Sequence, residues 1–474
     1  MSAKFPFKGR ILMIGYGSVG RCTMPLIDRH FDMPMSRVAV IDGADHSADA
    51  QRFIDKGMAY VVQPLYPGNL DKTLAKYAGR GDLIINLSVE VSSLAIIQWC
   101  QKHGVLYIDT CIEPWGDYYD NKQVPEEQRT NYYLRHSVLE AAKKFKKNGP
   151  SALVTHGANP GLISHFAKRG LLDVARMRGL NIETPKTREA WAKLMQQAGV
   201  KTIHVAEHDL QITDDPKKPN EFCNTWSIPG FVGEGCQPAE LGWGTHEKRM
   251  PDNGAEHKVG CKSAIFLRQP GCITEMRSWT PHGGPMVGYL ITHGESISLS
   301  DYFTVFEKGK PVYRPTVHYA YHPCNDAVLS VREFQMKNFT MQDEVRLLND
   351  EIVDGIDELG ALLMGDFGAY WYGSQLSVHE ARRLFGPGYN ATSPQIAAPV
   401  LAGAMWLIEN PYRGLVEPEE IDHDYILDIC RPYLGPVVGC WSDWTPLKDR
   451  DVLFPEPNLD RSDPWQFENF RVRR

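Results

Sequence analysis

The chain has 474 residues, 43% of them hydrophobic and 23% charged, which is enough for two or three domains with a large core and excludes disordered and fibrous classes. With 51 Lys and Arg against 58 Asp and Glu, the net charge of -7 argues against nucleic acid as a partner and is compatible with small cationic ligands. The 10 cysteines include no CxxC pair and no metal spacing, and no apolar run reaches the ~20 residues that span a bilayer, so no metal and no membrane are expected.

Residues 11–14 read as an apolar strand that runs directly into Gly15-x-Gly17-x-x-Gly20. The early position of this turn leaves no room for a signal peptide, and a cytoplasmic location is expected. Gly15 serves a sharp turn, Gly17 lets a pyrophosphate approach the main chain, and Gly20 packs the following helix on the strand. Ser18 and Val19 lie inside this turn, and the helix start offers its free N–H groups to phosphate. A second strand, 37–42, ends in Asp42, 22 residues beyond Gly20. An acid there accepts hydrogen bonds from an adenosine ribose and repels a 2′-phosphate, which favours NAD over NADP. Pro25 falls within the helix and is expected to bend or shorten it.

Strand-like runs follow at 59–63, 82–87, 105–109 and 152–155, with helical patterns at 94–103 and 131–147. The alternation predicts an α/β class: a Rossmann domain over residues 1–160 whose parallel sheet is covered on both faces. Ligands in such sheets bind beyond the carboxyl ends of the strands, which places Ser88, Val89, Glu90, Thr110, Glu113 and Asn159 on the cofactor side.

Between about 200 and 385, β-rich segments such as 202–206, 263–267, 285–292 and 312–321 predict a mostly antiparallel second domain, assigned to residues 161–385. Residues 205–243 carry seven acids, namely Glu207, Asp209, Asp214, Asp215, Glu221, Glu234 and Glu240. Their only basic company is Lys217 and Lys218, and Trp226 and Trp243 stand among glycines. Carboxylates and an indole face suit an organic cation, while a solvated acidic loop with core tryptophans is the simpler reading of such a run. The segment has no arginine for a bidentate carboxylate clamp, although Arg169 and Arg176 lie nearby in sequence. His293 ends an apolar strand and serves either a proton relay or structure. There is no GxSxG elbow or HExxH. Near the C-terminus, Ser393-Pro394 reads as an N-cap and first turn of a helix to Asn410, with Ile396, Val400, Ala404 and Ile408 on one apolar face.

Several segments resemble the bacterial homospermidine synthases, within the saccharopine dehydrogenase-like group. They include 13–21, 25–31, Asn86-Leu-Ser-Val-Glu-Val-Ser-Ser93, Asp109-Thr-Cys-Ile-Glu-Pro-Trp115, His156-Gly-Ala-Asn-Pro-Gly161 and Asn224-Thr-Trp-Ser227. The resemblance implies a transferase that joins two putrescines, or putrescine and spermidine, to homospermidine with release of ammonia or diaminopropane, using NAD as a retained group. It also implies a homodimer, a C-terminal segment 386–474 that folds back on the cofactor domain, and Ser393 to Gln395 near NAD. Carried onto this chain, its substrate-site residues are Glu113, Asn159, Glu207, Trp226, Glu234 and His293, with the general base left open between Glu207 and Glu234. Its cofactor side comprises Gly15, Gly17, Ser18, Val19, Gly20, Asp42, Asn86, Ser88, Thr110 and Ser393. A simple imine-reducing dehydrogenase of the carboxynorspermidine or saccharopine type, or a non-catalytic NAD-binding regulator, are the alternatives.

Overall fold

Apolar runs buried on both faces form the middle of a parallel sheet, because such strands must be covered by helices on either side. The computed structural model describes residues 4–119, 121–180 and 183–472. The strand order is Leu415–Val416, Ala152–Leu153, Leu106–Asp109, Leu83–Asn86, Ile11–Ile14, Val38–Asp42 and Ala59–Val62, with every pair parallel. The order reverses beside Ile11–Ile14, so the crevice at the switch point opens next to Gly15 and Ser88.

The second sheet has ten strands. Val200–Asp209 and Thr316–His322 run parallel at its centre, and Ile356–Gly365 and Gly368–Ser377 continue antiparallel on one side. Pro238–Gly242, Ala264–Pro270 and Gly254–Glu256 continue it on the other. The hairpin of Glu275–Thr280 and Gly284–Tyr289 joins through the Tyr289–Tyr321 pair.

The helix Ser18–His30 is not shortened at Pro25. Proline has no N–H to give to the carbonyl four residues earlier, and that orphaned Arg21 carbonyl accepts instead from the Tyr389 hydroxyl at 3.2 Å. The proline thus ties the cofactor domain to the C-terminal segment. Tyr389→Phe is expected to cost about 1 kcal/mol by leaving the carbonyl without its donor. A thermal midpoint equal to that of the unaltered protein would show that the hydroxyl contributes nothing.

The segment 386–474 does not fold back as one unit. Leu415–Val416 extends the Rossmann sheet, whereas Val437–Ser442 pairs with Gly368–Ser377 in the second sheet. The helix Thr392–Glu409 is buried on nearly all sides rather than along one face, because it lies between the two sheets' layers. Ser393 is not its N-cap. The Asn390 side-chain oxygen accepts from the N–H groups of Thr392 and Ser393 at 3.1 and 3.0 Å, so the capping group lies three residues earlier than expected. Residues 312–321 form two strands, Lys310–Tyr313 and Thr316–His322, and the helix begun at Asn131 ends at Ala142.

Candidate functional site

The glycine turn has the form that a dinucleotide requires. Gly15 has φ of +90°, and a Cβ there would stand 2.7 Å from the Leu87 backbone, so only glycine fits between the two strands. A Cβ on Gly20 would stand 2.7 Å from the Gly15 carbonyl oxygen. Gly17 is different: a Cβ there would meet nothing within 4 Å, which is the open space a pyrophosphate needs. Gly17 also caps the helix without any side-chain acceptor, leaving first-turn N–H groups for an anion. These residues fit the cofactor.

Asp42 accepts from the N–H of Tyr16 at 2.5 Å through one oxygen and from that of Ala44 at 2.8 Å through the other. It therefore shapes the turn that follows its strand. Asp42→Ala is expected to weaken NAD by about 1–3 kcal/mol, the cost of an unmade charged hydrogen bond. Isothermal titration with both dinucleotides checks this, and tighter NADP than NAD in the unaltered protein would overturn the stated preference.

Asn86 does not present itself to the cofactor. It is 2% exposed, its amide oxygen accepts from the Ser88 hydroxyl at 2.6 Å, and its amide nitrogen donates to Tyr107 at 3.2 Å. Tyr107 donates to Asp109 at 2.8 Å, and the Thr155 N–H donates to the other Asp109 oxygen at 2.6 Å. Burial pushes Asp109 up to about 7 against these donors. The chain of bonds holds the strand ends, and so the Ser88 and Thr110 loops, in place from beneath. Ser393 is also buried, with its N–H on Asn390.

The substrate side is built on strand alternation. Glu207 and Asp209 share one face of Val200–Asp209, and Tyr319 and Tyr321 share the matching face of the neighbouring strand. The opposite faces carry His204 and His318, which pack against Phe470. The Tyr319 hydroxyl donates to Glu207 Oε2, and Asn159 Nδ2 donates to the same oxygen at 2.6 Å. Oε1 has no protein donor among the described residues. Burial raises Glu207 to about 7, with the Tyr319 and Asn159 donors pulling the other way.

The Asn159 turn is itself held tightly. A Cβ on Gly161, at φ of +126°, would stand 2.4 Å from the Gly157 carbonyl oxygen. Trp226 donates through its indole N–H to Tyr321 at 3.0 Å, and Tyr321 stacks on Tyr319 with ring centroids 5.3 Å apart. Directly after it, Ser227 caps the helix Ile228–Cys236 by accepting from Gly230, and this helix carries Glu234.

Glu234 Oε2 lies 3.1 Å from His293 Nε2, and Glu295 Oε1 lies 3.4 Å from His293 Nδ1. Burial disfavours a charged imidazole, but the two carboxylates outweigh it and hold His293 up to about 10. Glu113 stands on a loop clamped to the helix Ser93–His103: its N–H donates to Ser93 Oγ at 3.0 Å and its carbonyl accepts from the Ser93 N–H at 2.9 Å. Burial, helped by the nearby Glu234 charge, raises Glu113 to about 7 against the Glu90 N–H.

The structure thus brings Asn159, Glu207, Trp226, Glu234 and His293 into one chain of contacts, with Glu113 close to Glu234. Four participants were missed: Tyr319, Tyr321, Glu295 and Asp357. Asp357 pairs in register with Asp209, accepts from Thr392 at 2.7 Å, and is driven well above the usual carboxylate range by burial and by Glu207 and Asp209. Alternating tyrosines in Thr-Val-His-Tyr-Ala-Tyr-His and an acid inside an apolar strand were signals available for three of them.

The acidic stretch does not act as a unit. Asp215 and Glu221 pair with Arg346 from a distant segment, at 3.3 and 2.8 Å. Glu240 caps the helix Asn131–Ala142, accepting from the Asn131 N–H at 2.7 Å, and Trp243 packs on Phe467. Arg169 and Arg176 both pair with Asp173. Among the described residues, no lysine or arginine pairs with Glu113, Glu207, Asp209, Glu234, Glu295 or Asp357.

Two family descriptions match the chain: Saccharopine dehydrogenase NADP binding domain over residues 11–153 and Saccharopine dehydrogenase C-terminal domain over residues 157–440. A homospermidine synthase of Mesorhizobium japonicum is 50% identical over 473 residues, covering 98% of this chain and 96% of that one. Another, of Blastochloris viridis, is 49% identical and covers 98% of each. The crystal structure of the homospermidine synthase of Legionella pneumophila in complex with NAD is similar at a TM-score of 0.92 and 46% identity, over 100% of both chains.

Proposed function

The chain belongs to the homospermidine synthase family, and we propose that its buried carboxylates hold diamines for the NAD-dependent, redox-neutral joining of two putrescines, or of putrescine and spermidine. The observation that carries this reading is a cluster of buried acids around one histidine with no lysine or arginine to balance them. Burying unpaired carboxylates is costly, so the site calls for a ligand that supplies the cations. A diammonium chain with an apolar middle does so.

Bound NAD supplies the hydride chemistry, accepting hydrogen from the amine-bearing carbon and returning it to the new imine. The protein supplies the proton handling. Hydride does not readily leave a carbon that bears a full ammonium, so a base must first take a proton. Glu207 suits this task because a carboxyl held up to about 7 exchanges protons near neutrality. Asn159 and Tyr319 fix its Oε2 and leave Oε1 for the amine. Glu234, paired with His293, anchors an ammonium. Trp226 offers its π face to the cationic imine, and the buried walls keep water from hydrolysing that imine before the second amine arrives.

Arg169 and Arg176, both engaged with Asp173, are unsuited to clamp a substrate carboxylate, which weighs against an amino-acid dehydrogenase of the same group. A homodimer belongs to the same reading. Val452, Leu453 and Phe454 are 75 to 85% exposed on one loop and supply apolar surface for an assembly. Among the described residues no helix is long and apolar enough to cross a membrane.

With putrescine as the only organic substrate and catalytic NAD, homospermidine and ammonia should form in equal amounts while free NADH stays flat after the first turnover. Deuterium on the reacting carbon of the first diamine should reappear in the product. NADH accumulating in proportion to ammonia, without coupled polyamine, would identify a simple amine dehydrogenase.

A further inference from the structure

Glu295 is a buried carboxylate for which the reaction outlined above has no use. It is 0% exposed, and among the described residues only the His293 imidazole approaches its oxygens as a donor. It sits in the first turn of the helix Gly294–Tyr302, whose N-terminal field favours an anion, but that field alone does not replace lost hydration. The nearest cation is His293, with Nδ1 at 3.4 Å from Oε1. Glu234 stands at the opposite nitrogen, and the Tyr319 ring lies 4.3 Å from the imidazole. Glu207 completes the ionisable groups facing this histidine.

The row therefore reads carboxylate, imidazole, carboxylate. If the imidazole were neutral, two buried carboxylates would repel each other across it, and one of them would take up a proton. If it is cationic, both stay ionised and the row keeps one net negative charge.

We propose that Glu295 is a positioning residue that keeps His293 doubly protonated, and so keeps a cation facing Glu234 while protons move elsewhere in the site. The polyamine reading supplies the purpose of that anchor, but the charge state of His293 follows from the geometry alone. Glu295 touches no reacting atom. Its effect is to separate the two carboxylates by role: Glu234 faces a cation at 3.1 Å, and proton exchange falls to Glu207.

The test is to follow His293 by NMR in NAD-loaded protein carrying ¹³C-labelled histidine, without polyamine, using His293→Gln to assign the resonance. In the unaltered protein His293 should remain protonated through pH 8. In Glu295→Gln its midpoint should fall by at least one unit, which is a tenfold change in the protonation equilibrium. Glu295→Asp should restore most of the shift. Activity should follow: the ratio of kcat/KM for putrescine at pH 9 to that at pH 6 should be lower in Glu295→Gln than in the unaltered protein by about twofold or more, the loss of protonated imidazole that a one-unit drop from about 10 gives at pH 9.

A merely structural role would lower activity equally at every pH. A His293 that titrates below pH 7 in the unaltered protein, or that titrates identically in Glu295→Gln, overturns the proposal. Neither depends on polyamine being the substrate.

Discussion

Glu207→Gln is expected to lower kcat with putrescine by about 10²- to 10⁴-fold, the usual contribution of a positioned general base, while NAD affinity is unchanged. The amide keeps the shape of the carboxyl but cannot take the ammonium proton. The pH profile gives the sharper reading. Burial holds Glu207 up to about 7, so below that pH it is protonated and cannot accept. kcat/KM should therefore rise with pH through about 7 and level off while the substrate amines remain below their Lys-like ~10.4. In Glu207→Gln the rise near 7 should vanish from the residual activity. Glu113 is also held up to about 7, so Glu113→Gln is the control: loss of the rise there, with retention in Glu207→Gln, would move the base to Glu113.

Putrescine affinity should suffer more from Glu234→Gln than from Trp226→Phe. Removing one member of a buried charge pair costs about 2–5 kcal/mol, because the other is left without its partner, whereas a cation–π contact contributes roughly 0.5–2. In this site the partner left behind is His293, 5% exposed at its side chain, so the substitution disturbs two charges. Trp226→Phe retains an aromatic face and loses only the indole donor to Tyr321. Catalysis need not follow the same order, since in the proposed reaction Trp226 would act on an imine cation formed only after substrate binding. Calorimetry with the NAD-bound protein measures both affinities. Equal putrescine affinity in the unaltered protein, Glu207→Gln and Glu234→Gln would remove the carboxylates from the binding site.

The cofactor half was legible because its determinants are local. A strand, three spaced glycines, a helix and an acid at the next strand's end lie within 32 residues, and Gly15, Gly17 and Gly20 each have the surroundings their spacing implies. Position in sequence locates Asn86 at a strand end without saying which way its side chain turns. Its amide turns inward to Tyr107 and Ser88.

The substrate half was legible only in part. Composition pointed to an acidic, arginine-free stretch, but folding split it three ways: Glu207 and Glu234 to the site, Glu221 to Arg346, Glu240 to a helix start. Pro25 read as a local fault until Tyr389, 364 residues later, was found on the carbonyl it frees.

The sequence by itself determined the dinucleotide turn and the class of both domains, and its resemblance to a family pointed to six residues suited to holding and deprotonating an amine. Only the tertiary structure decided which neighbours each carboxylate meets. Those neighbours are drawn from distant segments: Tyr319 and Asn159 on Glu207, His293 with Glu295 behind Glu234. Ionisation energies depend on distances of a few ångströms between such groups, and separation along the chain carries no information about those distances.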